Sequence, residues 1–170
     1  MTSRRIAPKS ADLVSNRRRS GAEDSARKLF VVLSRARNAV ARHAEKDAAR
    51  HGLTLAEFAI VEALYHGGPL LLGELQRKIL VSSGGVTYLV DRLEEKKLVE
   101  RRECPGDRRA RYAALTPAGE SFIGRVFPAH ARSIARAMGG LTKKEQGEAI
   151  ALLRRLGTKA EEQLSESEDR

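Results

Sequence analysis

The stretch Ser82-Ser83-Gly84-Gly85-Val86-Thr87-Tyr88-Leu89-Val90-Asp91-Arg92-Leu93-Glu94 decides how this chain is read. Two hydroxyls at Ser82 and Ser83 can cap orphan backbone N–H groups. Val86, Leu89, Val90 and Leu93 then follow at i, i+3, i+4 and i+7, which predicts a helix with one face committed to a core. At about 100° per residue the opposite face carries Gly84, Tyr88, Asp91 and Glu95, flanked by Gly85, Thr87 and Arg92. Small and hydrogen-bonding groups in the first two turns suit a base edge in the major groove. Asp91 and Glu95 repel phosphate, so entry falls to the N-terminal half, where the helix dipole also favours an anion. Beyond Lys96-Lys97 come a short run from Val99 to Glu103, the turn Pro105-Gly106-Asp107, the cluster Arg108-Arg109-Ala110-Arg111 and a second run from Tyr112 to Leu115. That is a β-hairpin with a basic tip. On the other side, Leu72 to Leu80 is a short helix with Leu72, Leu75 and Ile79 on one face, joined tightly to the first by Val81-Ser82-Ser83. The three parts make a winged helix-turn-helix.

These residues, with Asp107-Arg108-Arg109 and Leu115-Thr116-Pro117-Ala118-Gly119, resemble the MarR family of bacterial transcriptional regulators over roughly residues 28 to 160. Within it, Ile79-Leu80, Val86-Thr87-Tyr88, Cys104-Pro105 and Phe127-Pro128 look most like the branch that responds to quinones and hydroquinones. The resemblance implies a dimer built from helices at both chain ends, with two DNA-binding lobes, and release from DNA by a small, often phenolic, ligand. It also implies that Arg109 matches the wing arginine that enters the minor groove, and Asp107 the acid that orients the tip. Lys97 departs from the family, which usually has a helix-ending glycine there. A lysine in the left-handed conformation would cost roughly 1 kcal/mol, so a different helix end is expected.

Composition agrees with a helical DNA-binding protein. Hydrophobic residues make up 41% and aromatics only 4%, with no Trp, and Ala and Leu fill the apolar positions. That favours a mainly α fold with a small β-hairpin wing over a sandwich or barrel. Thirty-two Lys plus Arg against twenty-two Asp plus Glu give a net charge of +10, the footprint of a partner such as double-stranded DNA. The lone Cys104 cannot form an intrachain disulfide, and the first 28 residues hold no apolar core of a signal peptide, so a cytoplasmic location is expected. No apolar run reaches the roughly 20 residues needed to span a bilayer, so no membrane partner is expected.

Along the chain, residues 1–24 carry Arg4, Arg5, Lys9 and Arg17-Arg18-Arg19 among polar residues and read as a basic, flexible arm. A clamp on the DNA backbone is the functional alternative for it. Residues 25–52 read as a dimerisation helix, striped by Leu29, Val32, Leu33, Ala36, Val40, Ala44 and Ala48 and stopped at Gly52. Residues 53–116 are the winged helix-turn-helix, opened by a Thr54–Glu57 capping box, with the helix at Leu72 looking weakly capped. Residues 117–165 are two further dimerisation helices, the second opened by Thr142–Glu145 and striped by Ala149, Leu152, Leu153, Leu156, Ala160 and Leu164. Pro128 should kink the first of them. Fraying is expected from Glu161, and 166–170 is an acidic tail. Stripes too large for the small central lobe call for a homodimer.

The candidate DNA-binding residues are Ser82, Ser83, Gly84, Thr87, Tyr88, Arg92, Asp107, Arg108, Arg109 and Arg111. Candidate walls of a site for a phenolic or quinone-type effector are Phe30, His43 and Tyr65. Cys104 lies beside Arg101, Arg102 and Arg108, which would favour thiolate, yet an isolated thiol is usually inert. The histidines at 43, 51, 66 and 130 have no metal-ligand spacing, and no catalytic motif or cofactor loop appears, so neither metal, cofactor nor enzymatic activity is expected. The function expected is a sequence-specific regulator, a ligand-released repressor binding a pseudo-palindromic operator. Two alternatives stand beside it. An architectural protein would coat DNA without sequence preference, and a winged-helix interaction module would not need DNA, although the basic tip argues against that.

Overall fold

The computed structural model describes the backbone of residues 10–79, 83–104 and 107–168, and the side chains of these except 10–20, 83–84, 104, 107–110 and 168. The chain divides into two units, Met1–Arg42 and His43–Arg170.

In the first unit the backbone is helical from Ser10, as part of α1 (Ser10–Arg50). Residues 10–24, expected as an arm, thus continue the helix expected from Ser25. No proline interrupts the chain between Pro8 and Pro69, and lengthening a helix needs no new nucleus, so a polar segment can follow on without a core of its own. Leu29, Phe30, Val31 and Val32 are all exposed, at 53%, 70%, 42% and 63%.

The second unit begins with the last turns of α1, which bury Ala44, Asp47 and Ala48. Gly52, at φ 72°, turns the chain after α1 as a glycine cap should. Helix α2 (Leu55–Gly67) opens on the expected capping box, Thr54 and Glu57 each holding the other's backbone N–H. Its Phe58, Ile60, Val61 and Leu64 are buried, so α2 is the central helix of the lobe. Next to Phe58, the His130 ring stacks at 4.1 Å. Its Nδ1 lies 2.9 Å from Asp47 Oδ2, a buried polar pair that joins the end of α1 to the helix bearing His130.

The expected hairpin is part of a larger sheet. Strand β1 (Leu70–Leu71) pairs with β3 (Asp107–Leu115), which pairs with β2 (Val99–Cys104), giving the antiparallel order β1-β3-β2. Two residues are too few to show an alternating pattern, so β1 has no signature of its own. In the hairpin, Arg101 stands opposite Ala113 and Glu103 opposite Arg111, and the register slips between Glu103 and Cys104, where the tip begins. Helix α3 (Leu72–Ile79) is better capped than expected, because Leu71 N–H donates to Glu74 Oε2 at 3.0 Å. Glu74, three residues on in the first turn, supplies the acid that the missing Ser or Thr would have matched.

Helix α4 (Ser83–Glu95) buries Val86, Val90 and Leu93 and half-buries Leu89, the face read from the spacing. Its end corrects the expectation for Lys97, which does adopt the left-handed conformation, at φ 58°. Lys97 N–H donates to Glu94 O at 2.8 Å and Leu98 N–H to Leu93 O at 3.0 Å. This is a Schellman end, and the orphan carbonyls it satisfies outweigh the strain on one Cβ. Lys97→Gly should therefore stabilise the protein by roughly 0.5 to 1 kcal/mol, the strain relieved exceeding the entropy that glycine adds to the unfolded chain. A thermal midpoint at or below that of the wild type would contradict this.

Helix α5 (Pro117–Ala137) runs through Pro128 and is capped by Thr116 Oγ1, which accepts Gly119 N–H at 3.0 Å. Helix α6 (Lys143–Glu168) opens on the expected Thr142–Glu145 box and continues past Glu161, where fraying was expected. Lys159 pairs with Glu162 at 2.9 Å, and the Ser165 and Ser167 hydroxyls donate to the carbonyls of Glu161 and Leu164. Ile150, Leu152, Leu153, Leu156 and Leu164 of α6 are all exposed.

Candidate nucleic-acid interface

Because Val86, Val90 and Leu93 fix one side of α4 in the core, Thr87 and Tyr88 are turned outward, and Tyr88 is 61% exposed. They form an accessible surface on the first two turns, where the helix N-terminus adds partial positive charge. Ser82 lies outside the described residues. Ser83 and Gly84 belong to the first turn of α4, but their side chains lie outside the described ones. The same holds for Asp107, Arg108 and Arg109, whose backbone is the start of β3 at the wing tip.

Two of the candidate arginines already have anionic neighbours. Arg111 Nη1 is 2.9 Å from Glu103 Oε1 across the hairpin, at an exposed position where such a pair is weak and can open toward another anion. Arg92 Nε stands 3.7 Å from Glu57 Oε1, with 44% of its side chain exposed.

Glu57 is a residue that sequence reasoning assigned only to a cap. Its carboxylate is buried and also receives Lys96 Nζ, at 2.9 and 3.0 Å, while the same ammonium donates to Gly52 O at 2.8 Å. The C-terminal end of α4 is thereby moored to α2 and to the α1–α2 turn. Burial pushes the Glu57 carboxyl up, but the Thr54 N–H, the Lys96 ammonium and the Thr54 hydroxyl outweigh it and hold it below 4.5. Arg101 on β2 was likewise missed as part of this surface. Its Nη2 lies 2.6 Å from Asp91 Oδ1, its Nη1 pairs with Glu94, and its N–H donates to Glu94 Oε1 at 2.9 Å. Partners 39 residues apart (57 and 96) or on different elements leave no periodic trace in a sequence.

Of the candidate effector walls, Tyr65 lines a cleft of about 270 Å³ with Leu64, Gly68, Pro69, Arg102 and Glu120. Its ring also meets His66 and Phe127, at 5.2 and 6.1 Å between centroids. His43 is exposed near the end of α1, and Phe30 is exposed on the first unit. The charges expected to activate Cys104 are partly engaged elsewhere, Arg101 by Asp91 and Glu94 and Arg102 by Glu100 at 2.7 Å. Among the described residues no cluster of His, Cys, Asp and Glu could hold a metal ion. No described helix is long and apolar enough to cross a membrane.

A short helix bracing a second one whose outer face is polar, beside a basic antiparallel hairpin, defines a winged helix-turn-helix DNA-binding protein. Residues 51–110 match the MarR family model. The chain is 40% identical over 135 residues to the HTH-type transcriptional regulator MhqR of Bacillus subtilis (strain 168), covering 79% of this chain and 93% of that one. Its structure is similar to that of AbsC, a MarR family transcriptional regulator from Streptomyces coelicolor, with a TM-score of 0.74 at 23% identity, over 81% of this chain and 95% of that one. It is also similar to Bordetella bronchiseptica BpsR, whose DNA binding is regulated by 6-hydroxynicotinic acid, with a TM-score of 0.69 at 26% identity, over 76% and 98% of the two chains. The protein belongs to the MarR family of transcriptional regulators. Members of this family are DNA-binding proteins that act as dimers, not enzymes.

Proposed function

We propose that this regulator is a repressor that, as a homodimer, reads a pseudo-palindromic operator with the outward face of α4 in the major groove and the wing tip against the minor groove. The observation that carries the reading is the exposure of Thr87 and Tyr88 on the first turns of α4, beside a hairpin carrying five arginines. Ser82, Ser83 and Gly84 would approach phosphate at the helix N-terminus, Arg92 would reach the backbone, and Arg108, Arg109 and Arg111, oriented by Asp107, would follow the wing into the groove. A two-fold dimer presents its reading helices about 34 Å apart, matching half-sites one helical turn apart. The exposed apolar side chains of residues 29–32 and of α6 support residues 25–52 and 117–165 as the dimerisation helices.

Titrating operator duplex with Tyr88→Ala and Arg109→Ala tests the surface. Each should lose roughly 1 to 3 kcal/mol of affinity, and Arg109→Ala should flatten the salt dependence by about one unit. Unchanged affinity for both at two salt concentrations would remove α4 and the wing from the interface.

The effector proposed is a small phenolic or quinone-type molecule held reversibly. Supporting this are the small aromatic acid that regulates the DNA binding of BpsR and the Tyr65 cleft. Arg101, one of the cations expected to favour a thiolate, is engaged by Asp91 and Glu94. Cys104→Ser should therefore bind DNA and still release it when a phenol or quinone is added. Loss of response in the serine variant alone would make the thiol the sensor.

A further inference from the structure

Helix α4 carries a liability for a protein that must lie against phosphate. Asp91 follows Thr87 by four residues and Tyr88 by three, so its carboxylate, 53% exposed, stands on the same face as the two outward residues. Glu94 is one turn from it and 32% exposed. Two carboxylates beside a polyanion cost affinity unless something neutralises them.

We infer that Arg101 is the positioning residue that does this, a guanidinium on the wing strand that cancels the acidic flank of the reading helix and ties helix and wing into one rigid surface. One fork spans three groups of α4. Nη2 reaches Asp91 Oδ1 at 2.6 Å and the Thr87 carbonyl at 3.3 Å, while Nη1 pairs with Glu94. The Arg101 side chain is only 24% exposed, so the pairs are partly shielded from solvent and salt, unlike the exposed Arg111–Glu103 pair. The planar fork is what allows three acceptors at once, and a lysine could not hold them all. The backbone completes the tie, because Arg101 N–H also donates to Glu94 Oε1. Opposite Arg101 on β3 stands buried Ala113, so the strand that carries the guanidinium is itself fixed in the sheet. Helix and wing are therefore presented at a constant angle to each other, and Arg101 does so without touching DNA.

This inference rests on the proposal that the Thr87–Tyr88 face meets DNA. The experiment titrates the duplex protected in footprinting with wild type, Tyr88→Ala, Arg101→Ala, Arg101→Ala/Asp91→Asn and Arg101→Ala/Glu148→Gln, at two salt concentrations. Glu148 lies on α6 and restores the same net charge far along the chain from the wing. Arg101→Ala should lose at least about tenfold in affinity. Adding Asp91→Asn should restore it to within about threefold of wild type, and adding Glu148→Gln should not. Arg101→Lys replaces alanine in every arm if the alanine variant fails to fold by circular dichroism. Wild-type affinity in the single variant overturns the inference, as does equal rescue by Glu148→Gln, which would mean net charge alone. Failure of Asp91→Asn to rescue, with a salt slope lower by about one, would make Arg101 a direct phosphate contact and also overturn it. Wild-type affinity in Tyr88→Ala would instead sink the underlying α4 reading, and is distinguishable on that ground.

Discussion

Gly119→Ala should destabilise the protein by at least about 3 kcal/mol, because the new methyl has nowhere to go. A Cβ at this position would stand 2.0 Å from the Leu98 carbonyl oxygen and 2.9 Å from its carbon, both backbone atoms. The carbonyl cannot retreat cheaply, since it accepts Thr116 N–H at 3.1 Å, and Thr116 Oγ1 in turn donates to Lys97 O at 2.7 Å while accepting Gly119 N–H. These bonds lock the start of α5 onto the turn between α4 and β2, so the strain falls on α4 and the hairpin together. The thermal midpoint should drop by about 6 to 12 °C. Gly73→Ala on α3 is the control, as its Cβ would meet nothing within 4 Å, and it should be neutral or mildly stabilising. Equal midpoints for the two variants would contradict the close approach at Leu98.

Lys96→Ala should cost about 2 to 3 kcal/mol, less than the roughly 3 to 5 of a fully buried pair because Lys96 is 27% exposed and Arg92 remains near Glu57. The pH dependence follows from the sign of the shift. The folded Glu57 carboxyl lies below its unfolded value of 4.5, so the stability it contributes is present above 4.5 and is lost as pH falls through the lower folded value. Without Lys96, burial is opposed by fewer groups and the carboxyl rises, removing that contribution. Wild type and variant should therefore differ most near neutral pH and converge below about 4.5. A difference that stays constant across this range would show that Lys96 stabilises by packing its stem rather than by its charge.

How much of this was readable in advance follows from the range over which each feature acts. The α4 core face at Val86, Val90 and Leu93 and the boxes Thr54–Glu57 and Thr142–Glu145 are local, and the structure has them as the spacing predicts. Features that depend on distant partners were not visible. Leu70–Leu71 is a strand only because β3 lies beside it, and Glu57 becomes a mooring point only when Lys96 arrives from the far end of α4. Lys97 was misjudged for the opposite reason. Its own propensity argued against a left-handed turn, and the paired bonds from Lys97 and Leu98 back to α4 prevailed. The outward placement of Thr87 and Tyr88 was legible from the helical spacing, whereas the reach of Arg101 to Asp91 and Glu94 needed the strand pairing that brings β2 alongside α4.

A symmetric pair of α4 helices is proposed to read two half-sites in DNA. Footprinting of wild type and Thr87→Ala/Tyr88→Ala on the DNA flanking the coding region, with excess random duplex as competitor, tests it most directly. The expected result is a protected pseudo-palindrome with half-site centres about one helical turn apart, resistant to the competitor and lost in the double variant. Uniform protection that random duplex removes, or a footprint the double variant leaves intact, would contradict it.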